Sequence, residues 1–529
     1  MVKLVYLNGH SVSINDIYHI ARGYSNAVID DSTRQRIRAS RVMLDQIVDR
    51  EAIYGVTTGY GEMVYMLVDS SKETELQTNL IRSHAACVGN YFSKEESKAI
   101  LAARINTFCR GYSAVREVLV DRMILFLNEG IIPAIPEIGS LGASGDLGPL
   151  AHLSITLIGE GYVFGENNKI IPTREILSKH KLDPLQLKYK EGLALINGTS
   201  AMTGIGTLIL HDAQIQVKQA EVITALVLEN QRASEGAFQP EGHTLGRPHQ
   251  GQIDSAFNIL NLVKGSKLIA PHHKLKSDLL KLKNEGKCKT KVYLQKAYTL
   301  RCVPQMVGSI KDTLNYTSNV LTIELNSSND NPLFFEGKEV FHGGNFHGQP
   351  VAFVMDFLSI ALTQLGVISE RRTNRLLNIN LNNGLPEFLT KLTPGLNCGF
   401  EGAQYPATAL VAENRIICTP SSIQSIPSNA DNQDVVSMGL IAARNCRRIM
   451  KNNNYILAIE LLCAAQAIDI AGHYDQLSPV GQLTYKSVRS QVPTLNEDRY
   501  MSDDINRISK FLEKGELLNN ILGTGIEIR

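Results

Sequence analysis

Long, uninterrupted apolar runs are missing from this sequence. Its most apolar stretch, residues 456–472, is broken by Glu460, Gln466 and Asp469. That is too short and too polar for the roughly 20 apolar residues that cross a bilayer. It reads as a buried helix, and no membrane contact is expected. The opening residues lack the apolar core and small-residue cleavage site of a secretory signal. None of the eight cysteines stand in C-x-x-C spacing, which removes the usual zinc and thioredoxin signatures. Reduced thiols in a cytoplasmic chain are the expectation. An excess of one charge sign is missing too: 53 basic residues face 52 acidic ones, with no long basic run. No nucleic-acid footprint exists, and a small, nearly neutral molecule is the better-matched ligand.

Conventional site signatures are also absent. There is no phosphate-binding G-x-x-x-x-G-K-[ST], no H-E-x-x-H and no EF-hand loop. Gly204-Ile-Gly206 lacks the third glycine of a dinucleotide fingerprint. His342 and His347 stand five residues apart in a glycine-rich loop, which suits a loop or pocket wall better than metal ligation; no metal is expected. Neither a fixed-period repeat nor a low-complexity segment occurs.

What is present is helical patterning. With 529 residues, 43% hydrophobic and 20% charged, the chain is globular, of about three domains or one large helical body. Val2–Leu7 followed by Asn8-Gly9 reads as the start of a short hairpin. A helical segment follows Ser93 and runs to Asn128, with Gly130 as its terminator. Residues 305–327 keep Ile310, Leu314, Leu321 and Leu325 at helical spacing, and Asn331-Pro332 stops that helix. Residues 351–377 and 435–472 are long and apolar on most faces, as helices inside a bundle are. Lys264–Lys291 is a polar surface excursion. The expectation is a mainly α protein: a loop-rich part, residues 1–200, and a long-helix bundle, residues 201–529.

One segment carries chemistry: Ile138-Gly-Ser-Leu-Gly-Ala-Ser-Gly-Asp-Leu-Gly-Pro-Leu150. From its residues alone it is a glycine-rich turn before a helix capped by Ser144 or Asp146. As a whole it resembles the prosthetic-group loop of the aromatic amino acid ammonia-lyase and aminomutase family. In that family Ala-Ser-Gly cyclises into 4-methylideneimidazole-5-one (MIO), here from Ala143, Ser144 and Gly145. The glycine nitrogen attacks the alanine carbonyl, and the serine loses its hydroxyl to leave an electrophilic methylene. A helix starting after Asp146 would turn its positive end toward that ring. Six further blocks are similar to the family: Tyr54-Gly-Val-Thr-Thr-Gly-Tyr-Gly61, Gly192-Leu-Ala-Leu-Ile-Asn-Gly-Thr199, Tyr298-Thr-Leu-Arg-Cys302, Asn329-Asp-Asn-Pro332, Phe346-His-Gly-Gln349 and Asn432-Gln-Asp-Val-Val-Ser-Met438. The resemblance implies the long-helix bundle of the aromatic ammonia-lyase (aspartase/fumarase-like) type. It also implies a homotetramer whose active sites each draw on three chains.

The same resemblance implies roles. Tyr54 is the base that takes the β-proton, although a phenol ionises near pH 10 and needs a lowered pKa or works through a minor ionised fraction. Tyr298 is the second catalytic tyrosine. Arg301 clamps the substrate carboxylate with two parallel hydrogen bonds that lysine cannot reproduce. Asn197 stands near the substrate amine, Phe346 beside the MIO, and Gln295 and Gln433 are polar pocket groups. His84 matches the selectivity position, where histidine pairs a tyrosine phenol; an unpaired polar group there penalises phenylalanine. Histidine-acting members carry glutamate where this chain has Gln433, which cannot act as a base; L-tyrosine is therefore the expected substrate. Tyr54–Met63, Arg82–His84 and Asn432–Gly439 together resemble the bacterial tyrosine 2,3-aminomutases of antibiotic pathways, which return the amine to the β-carbon and yield β-tyrosine. The alternatives are a tyrosine ammonia-lyase releasing 4-hydroxycinnamate and ammonia, a histidine ammonia-lyase, and a non-catalytic helical scaffold. Release and readdition differ by a partition that about 1.4 kcal/mol shifts tenfold.

Overall fold

The computed structural model describes residues 3–290, 293–393 and 395–529. Val2 and Lys291, named in two of the expectations above, lie outside them. The described chain is mainly helical. It divides into two compact units, each discontinuous in sequence. The first comprises 1–211, 317–356 and 420–444; the second 212–316, 357–419 and 445–529. The long helix Ser200–Asn230 begins where the loop-rich part ends, so residue 200 is a change of texture along the chain, while the compact units follow other limits.

In the first unit, strand Lys3–Tyr6 pairs in parallel with strand Ser25–Val28. This corrects the expected hairpin. Asn8 makes a local turn by accepting from the backbone of His10 and Ser11. Ser13 and Asp16 then form a reciprocal capping box that starts the helix Ile14–Ala21, and a helical crossover leaves the strands parallel. The segment after Ser93 is likewise two helices, Lys94–Cys109 and Glu117–Glu129. Between them Gly111 and Ala114 adopt φ of +85° and +55°, which no continuing helix permits. Gly130 terminates the second helix in the left-handed region, as expected. From Ala99 to Cys109 the first helix is buried on every side, and it forms the floor on which the site rests.

Four long helices dominate: Ser200–Asn230, Val303–Leu325, Gln349–Leu377 and Gly439–Ala471. The second of the set covers most of the patterned residues 305–327, yet Val303–Leu325 ends seven residues before Pro332, where the Asn326 side-chain amide donates to the Thr322 carbonyl. In the second unit the long helices pack with buried polar rungs. Asn453 donates to the Leu362 carbonyl at 2.7 Å and accepts from Asn414 at 3.1 Å. Glu460, which interrupted the apolar run, is fully buried against Arg372 and accepts from its Nη2 at 2.9 Å. Gln349–Leu377 and Gly439–Ala471 are long and apolar enough to cross a membrane, but their apolar windows are mostly buried in protein. The helix His272–Asn284, inside the predicted surface excursion, has no buried residue. All eight cysteines are free.

Candidate active site

The site is built on the loop 139–145 of the first unit. A bridge between Gly142 and Gly145 folds Ala143 and Ser144 into a reversal. Ser144 takes φ of +51° there, between Gly142 at +81° and Gly145 at +80°. A side-chain-bearing residue in that region carries about 1–2 kcal/mol of strain. Glycine is needed on either side for space as well. A Cβ on Gly145 would stand 2.2 Å from the Gly198 carbonyl oxygen, and one on Gly142 the same distance from Ser437 Oγ. Gly198 donates its N–H to the Ser144 carbonyl at 3.1 Å and accepts from the Asp146 N–H at 2.8 Å. The loop is thereby clamped from both sides.

The helix Leu147–Ser154 starts two residues after Gly145, with its positive end at the loop. Asp146 occupies the cap position without capping, which corrects that expectation. Its carboxylate accepts instead from the Met202 N–H at 2.8 Å and Ser140 Oγ at 3.0 Å. Burial pushes this carboxyl up to about 7, against the pull of those hydrogen bonds and Arg104. Arg104 is wholly buried beneath the loop. It donates to the carbonyls of Asn197 (2.6 Å) and Ala194 and to Asn329 Oδ1 at 3.2 Å. Both side chains thus help to hold the backbone around residues 194–202.

A cavity of about 610 Å³ opens over the loop. Tyr54, His84, Asn197, Gln433 and Ala143-Ser144-Gly145 all line it, together with Leu76, Leu80, Leu193 and Ile196. Tyr54 is held at both ends: its N–H donates to His342 Nε2 at 3.3 Å, and its phenol oxygen accepts from the Gly61 N–H at 2.8 Å. Burial raises the phenol above its ordinary value, and the Gly61 hydrogen bond opposes that rise without cancelling it. The group expected to lower it is therefore a single backbone amide, and burial outweighs it.

His84 closes the helix Glu73–His84. Its Nδ1 lies 2.9 Å from the Leu80 carbonyl. A carbonyl only accepts, so in the neutral ring Nδ1 carries the proton and Nε2 is left as an acceptor. Asn197 is 2% exposed, and its Oδ1 is buried with no hydrogen-bond partner among the described residues. Such an atom is costly unless something donates to it. Gln433 Oε1 accepts from Ser428 Oγ at 2.9 Å, so the side chain has N–H groups to offer.

Four expected residues do not line this cavity. Phe346 is half-buried in the loop preceding the helix Gln349–Leu377. Gln295, Tyr298 and Arg301 belong to the second unit. Gln295 and Arg301 line a cavity of about 320 Å³ there. The Arg301 guanidinium lies 4.7 Å from the centre of the Tyr298 ring, and Arg301 Nε donates to the Lys296 carbonyl at 2.9 Å. Tyr298 is 68% exposed. Among the described residues no group of three His, Cys, Asp or Glu is placed to hold a metal.

Several lining residues escaped the sequence reading: Tyr60, Asn79, Ser83, Cys87 and Asn429. The helical spacing of Leu76, Leu80, Ser83 and His84 marks one face of a single helix and could have found Asn79 and Ser83. Nothing local marks Asn429.

A family model described as aromatic amino acid lyase matches residues 12–490. Over 529 residues the chain is 55% identical to an MIO-dependent tyrosine 2,3-aminomutase of Streptomyces globisporus, covering 99% of this chain and 98% of that enzyme. It is 53% identical to a tyrosine ammonia-lyase of Cupriavidus metallidurans, with coverage of 99% and 98%. The crystal structure of the Streptomyces globisporus tyrosine aminomutase superposes with a TM-score of 0.97 at 54% identity, over 99% of this chain and 100% of that one.

Proposed function

We propose that this chain, which belongs to the aromatic amino acid lyase family, is a tyrosine 2,3-aminomutase that converts L-tyrosine to β-tyrosine. Release of 4-hydroxycinnamate and ammonia is its competing outcome. The observation that carries the choice of tyrosine is His84, whose Nδ1 is occupied by the Leu80 carbonyl and which lines the same cavity as Tyr54 and Ala143-Ser144-Gly145. The choice of mutase over lyase rests on the resemblance of Tyr54–Met63, Arg82–His84 and Asn432–Gly439 to the tyrosine 2,3-aminomutases. An acceptor nitrogen suits a phenol hydroxyl and is left unpaired by phenylalanine. The two tyrosine-named relatives at 55% and 53% identity agree with it.

The residues at 143–145 fit the formation of MIO. Ser144 sits in a strained reversal, Gly145 has no room for a side chain, and the unpartnered Asn197 Oδ1 lies in the same cavity. The group would supply an electrophilic carbon for the substrate amine, with no external cofactor. Asn197 Oδ1 accepts from the substrate ammonium. Tyr54 Oη takes the β-proton while the Gly61 N–H holds that oxygen in place. His84 Nε2 accepts from the substrate phenol, and the apolar walls from Leu76 to Ile196 exclude water from the ring. In the mutase direction the protonated Tyr54 is also the nearest assigned acid for the α-carbon. Arg301 is assigned to the carboxylate end, and Tyr298 as the second catalytic tyrosine, of a site completed by other copies of the chain in a homotetramer. An anchored phenol and a clamped carboxylate hold the cinnamate long enough for readdition.

The test is L-tyrosine turnover with both products separated by chromatography. β-Tyrosine appearing from the first minutes supports the mutase. Steady accumulation of 4-hydroxycinnamate without any β-tyrosine assigns the chain to the lyase alternative. Equal turnover of L-histidine or L-phenylalanine would remove His84 as the selector.

A further inference from the structure

Tyr60 stands in the same cavity as Tyr54 but has a different environment. The two rings meet edge to face, their centres 6.4 Å apart and their planes at 84°. Tyr60 also packs close to the backbone of Gly55, which follows Tyr54. Gly55, at φ +66°, leaves its ring so little room that a Cβ would come within 2.6 Å of it. The Tyr60 oxygen accepts from Gln77 Nε2 at 2.9 Å. Gln77 is fully buried and spends every polar atom: the same Nε2 donates to the Gly55 carbonyl at 3.1 Å, and Oε1 accepts from the Leu193 N–H at 3.1 Å. One amide therefore ties three parts of the site together. They are the peptide that follows Tyr54, the ring that packs on Tyr54, and the helix Glu191–Ile196 that leads into Asn197.

We propose that Tyr60 and Gln77 form a positioning pair that sets the orientation of the Tyr54 phenol for proton transfer. This rests on the reading of Tyr54 as the base. The reasoning is geometric. A base works only within hydrogen-bond reach of its proton and with its ring correctly turned. Tyr54 accepts one hydrogen bond at its tip, from the Gly61 N–H, and donates one from its own backbone N–H to His342 Nε2. Neither fixes rotation of the ring. The edge of Tyr60 does, and Gln77 fixes Tyr60. Burial, with the neighbouring Tyr54, raises the Tyr60 phenol far above its ordinary value. Two phenols in one cavity are thus driven apart in ionisation: Tyr60 stays neutral while Tyr54 is the one that ionises.

Tyr60→Phe keeps the ring and deletes the oxygen, leaving one Gln77 donor unpaired. With L-tyrosine as substrate, kcat is expected to fall about tenfold with KM within about twofold. The deuterium isotope effect with β-deuterated L-tyrosine is expected to rise, because proton removal becomes slower. Gln77→Glu places a negative charge beside the phenols. Its alkaline-rising limb in kcat/KM is expected to move to higher pH, since a carboxylate disfavours phenolate. A readout independent of turnover is the 295 nm titration of Ser144→Ala protein, minus that of the Ser144→Ala/Tyr54→Phe protein. This isolates the ionisation of Tyr54, and adding Gln77→Glu to both is expected to shift it upward. Wild-type kcat and isotope effect in Tyr60→Phe overturn the proposal, as does a raised KM with kcat intact, which would make Tyr60 a binding group. Wild-type enzyme that fails to turn over L-tyrosine refutes the functional reading instead, and the titration difference still decides whether the pair acts on Tyr54.

Discussion

The N–H of Gly198 donates to the carbonyl oxygen of Ser144 at 3.1 Å, across 54 residues of sequence. That bond, with the return bond from the Asp146 N–H to the Gly198 carbonyl at 2.8 Å, holds the loop in its reversal. Gly198 has φ of +135° and no space for a side chain: a Cβ would meet the Asn329 carbonyl at 2.4 Å. Cyclisation and dehydration remove two waters, about 36 Da by formula arithmetic. Intact-mass analysis is expected to show that loss in the wild-type chain and to show much less of it in Gly198→Ala. Complete loss in the variant would mean that the clamp is dispensable for ring formation.

The raised phenol of Tyr54 gives a pH dependence with a definite sign. In the proposed mechanism Tyr54 acts as phenolate, and burial places its pKa above the ordinary value near 10. Only a small fraction is ionised at neutral pH, so kcat/KM should climb by up to about tenfold per pH unit on the alkaline side. Initial rates from about pH 7 to 10 check this. A flat profile over that range removes the phenolate from the mechanism.

In the proposed reaction His84 selects the ring substituent. In His84→Phe the acceptor nitrogen is lost and the cavity end becomes apolar. The ratio of kcat/KM for phenylalanine over tyrosine should rise by roughly 10- to 1000-fold. Parallel kinetics on both amino acids measure it, and an unchanged ratio places the selector elsewhere.

Arg301 and Tyr54 fall in different units of one chain, and Arg301 does not line the Tyr54 cavity. If a site takes the two residues from different copies, Tyr54→Phe and Arg301→Ala subunits should complement each other. Random mixing by co-expression restores complete sites at about a quarter of the wild-type number, by simple statistics of a symmetric oligomer. Separately purified variants should remain nearly inactive. Absence of any recovery in verified mixed oligomers places both residues in sites made by one copy. In the homogeneous Arg301→Lys enzyme, KM for tyrosine should rise strongly, because the two parallel hydrogen bonds to a carboxylate are lost.

Glu460 and Arg372 are both fully buried and paired in the second unit, and Ser369 Oγ also donates to the glutamate at 2.5 Å. Glu460→Gln leaves the guanidinium without its counter-charge. Breaking such a pair costs about 3–5 kcal/mol, so thermal denaturation should occur at clearly lower temperature while intact mass still shows the cyclised loop. An unaltered melting temperature would show that water or another group replaces the carboxylate.

The long helices were legible in the sequence because their signal is local. Apolar residues at helical spacing mark Val303–Leu325, and long stretches apolar on most faces mark Gln349–Leu377 and Gly439–Ala471, whatever they pack against. Ala143-Ser144-Gly145 stood out through the resemblance of the stretch around it to a family's prosthetic-group loop, a motif of neighbouring residues. Tertiary structure decided what depends on distant partners. Asp146 could have capped the helix Leu147–Ser154, but Met202, 56 positions away, offers its N–H to the carboxylate instead. Glu460 broke an apolar run on paper and is a buried ion-pair partner of a residue 88 positions away. The opening strand could have turned back as a hairpin, but a capping box at Ser13 started a helix first. Tyr54 needed a group to lower its pKa, and only the fold showed that burial outweighs the one amide, Gly61, that helps it. A periodicity is written in consecutive residues, whereas a hydrogen-bond partner and a dielectric environment are properties of the packed molecule.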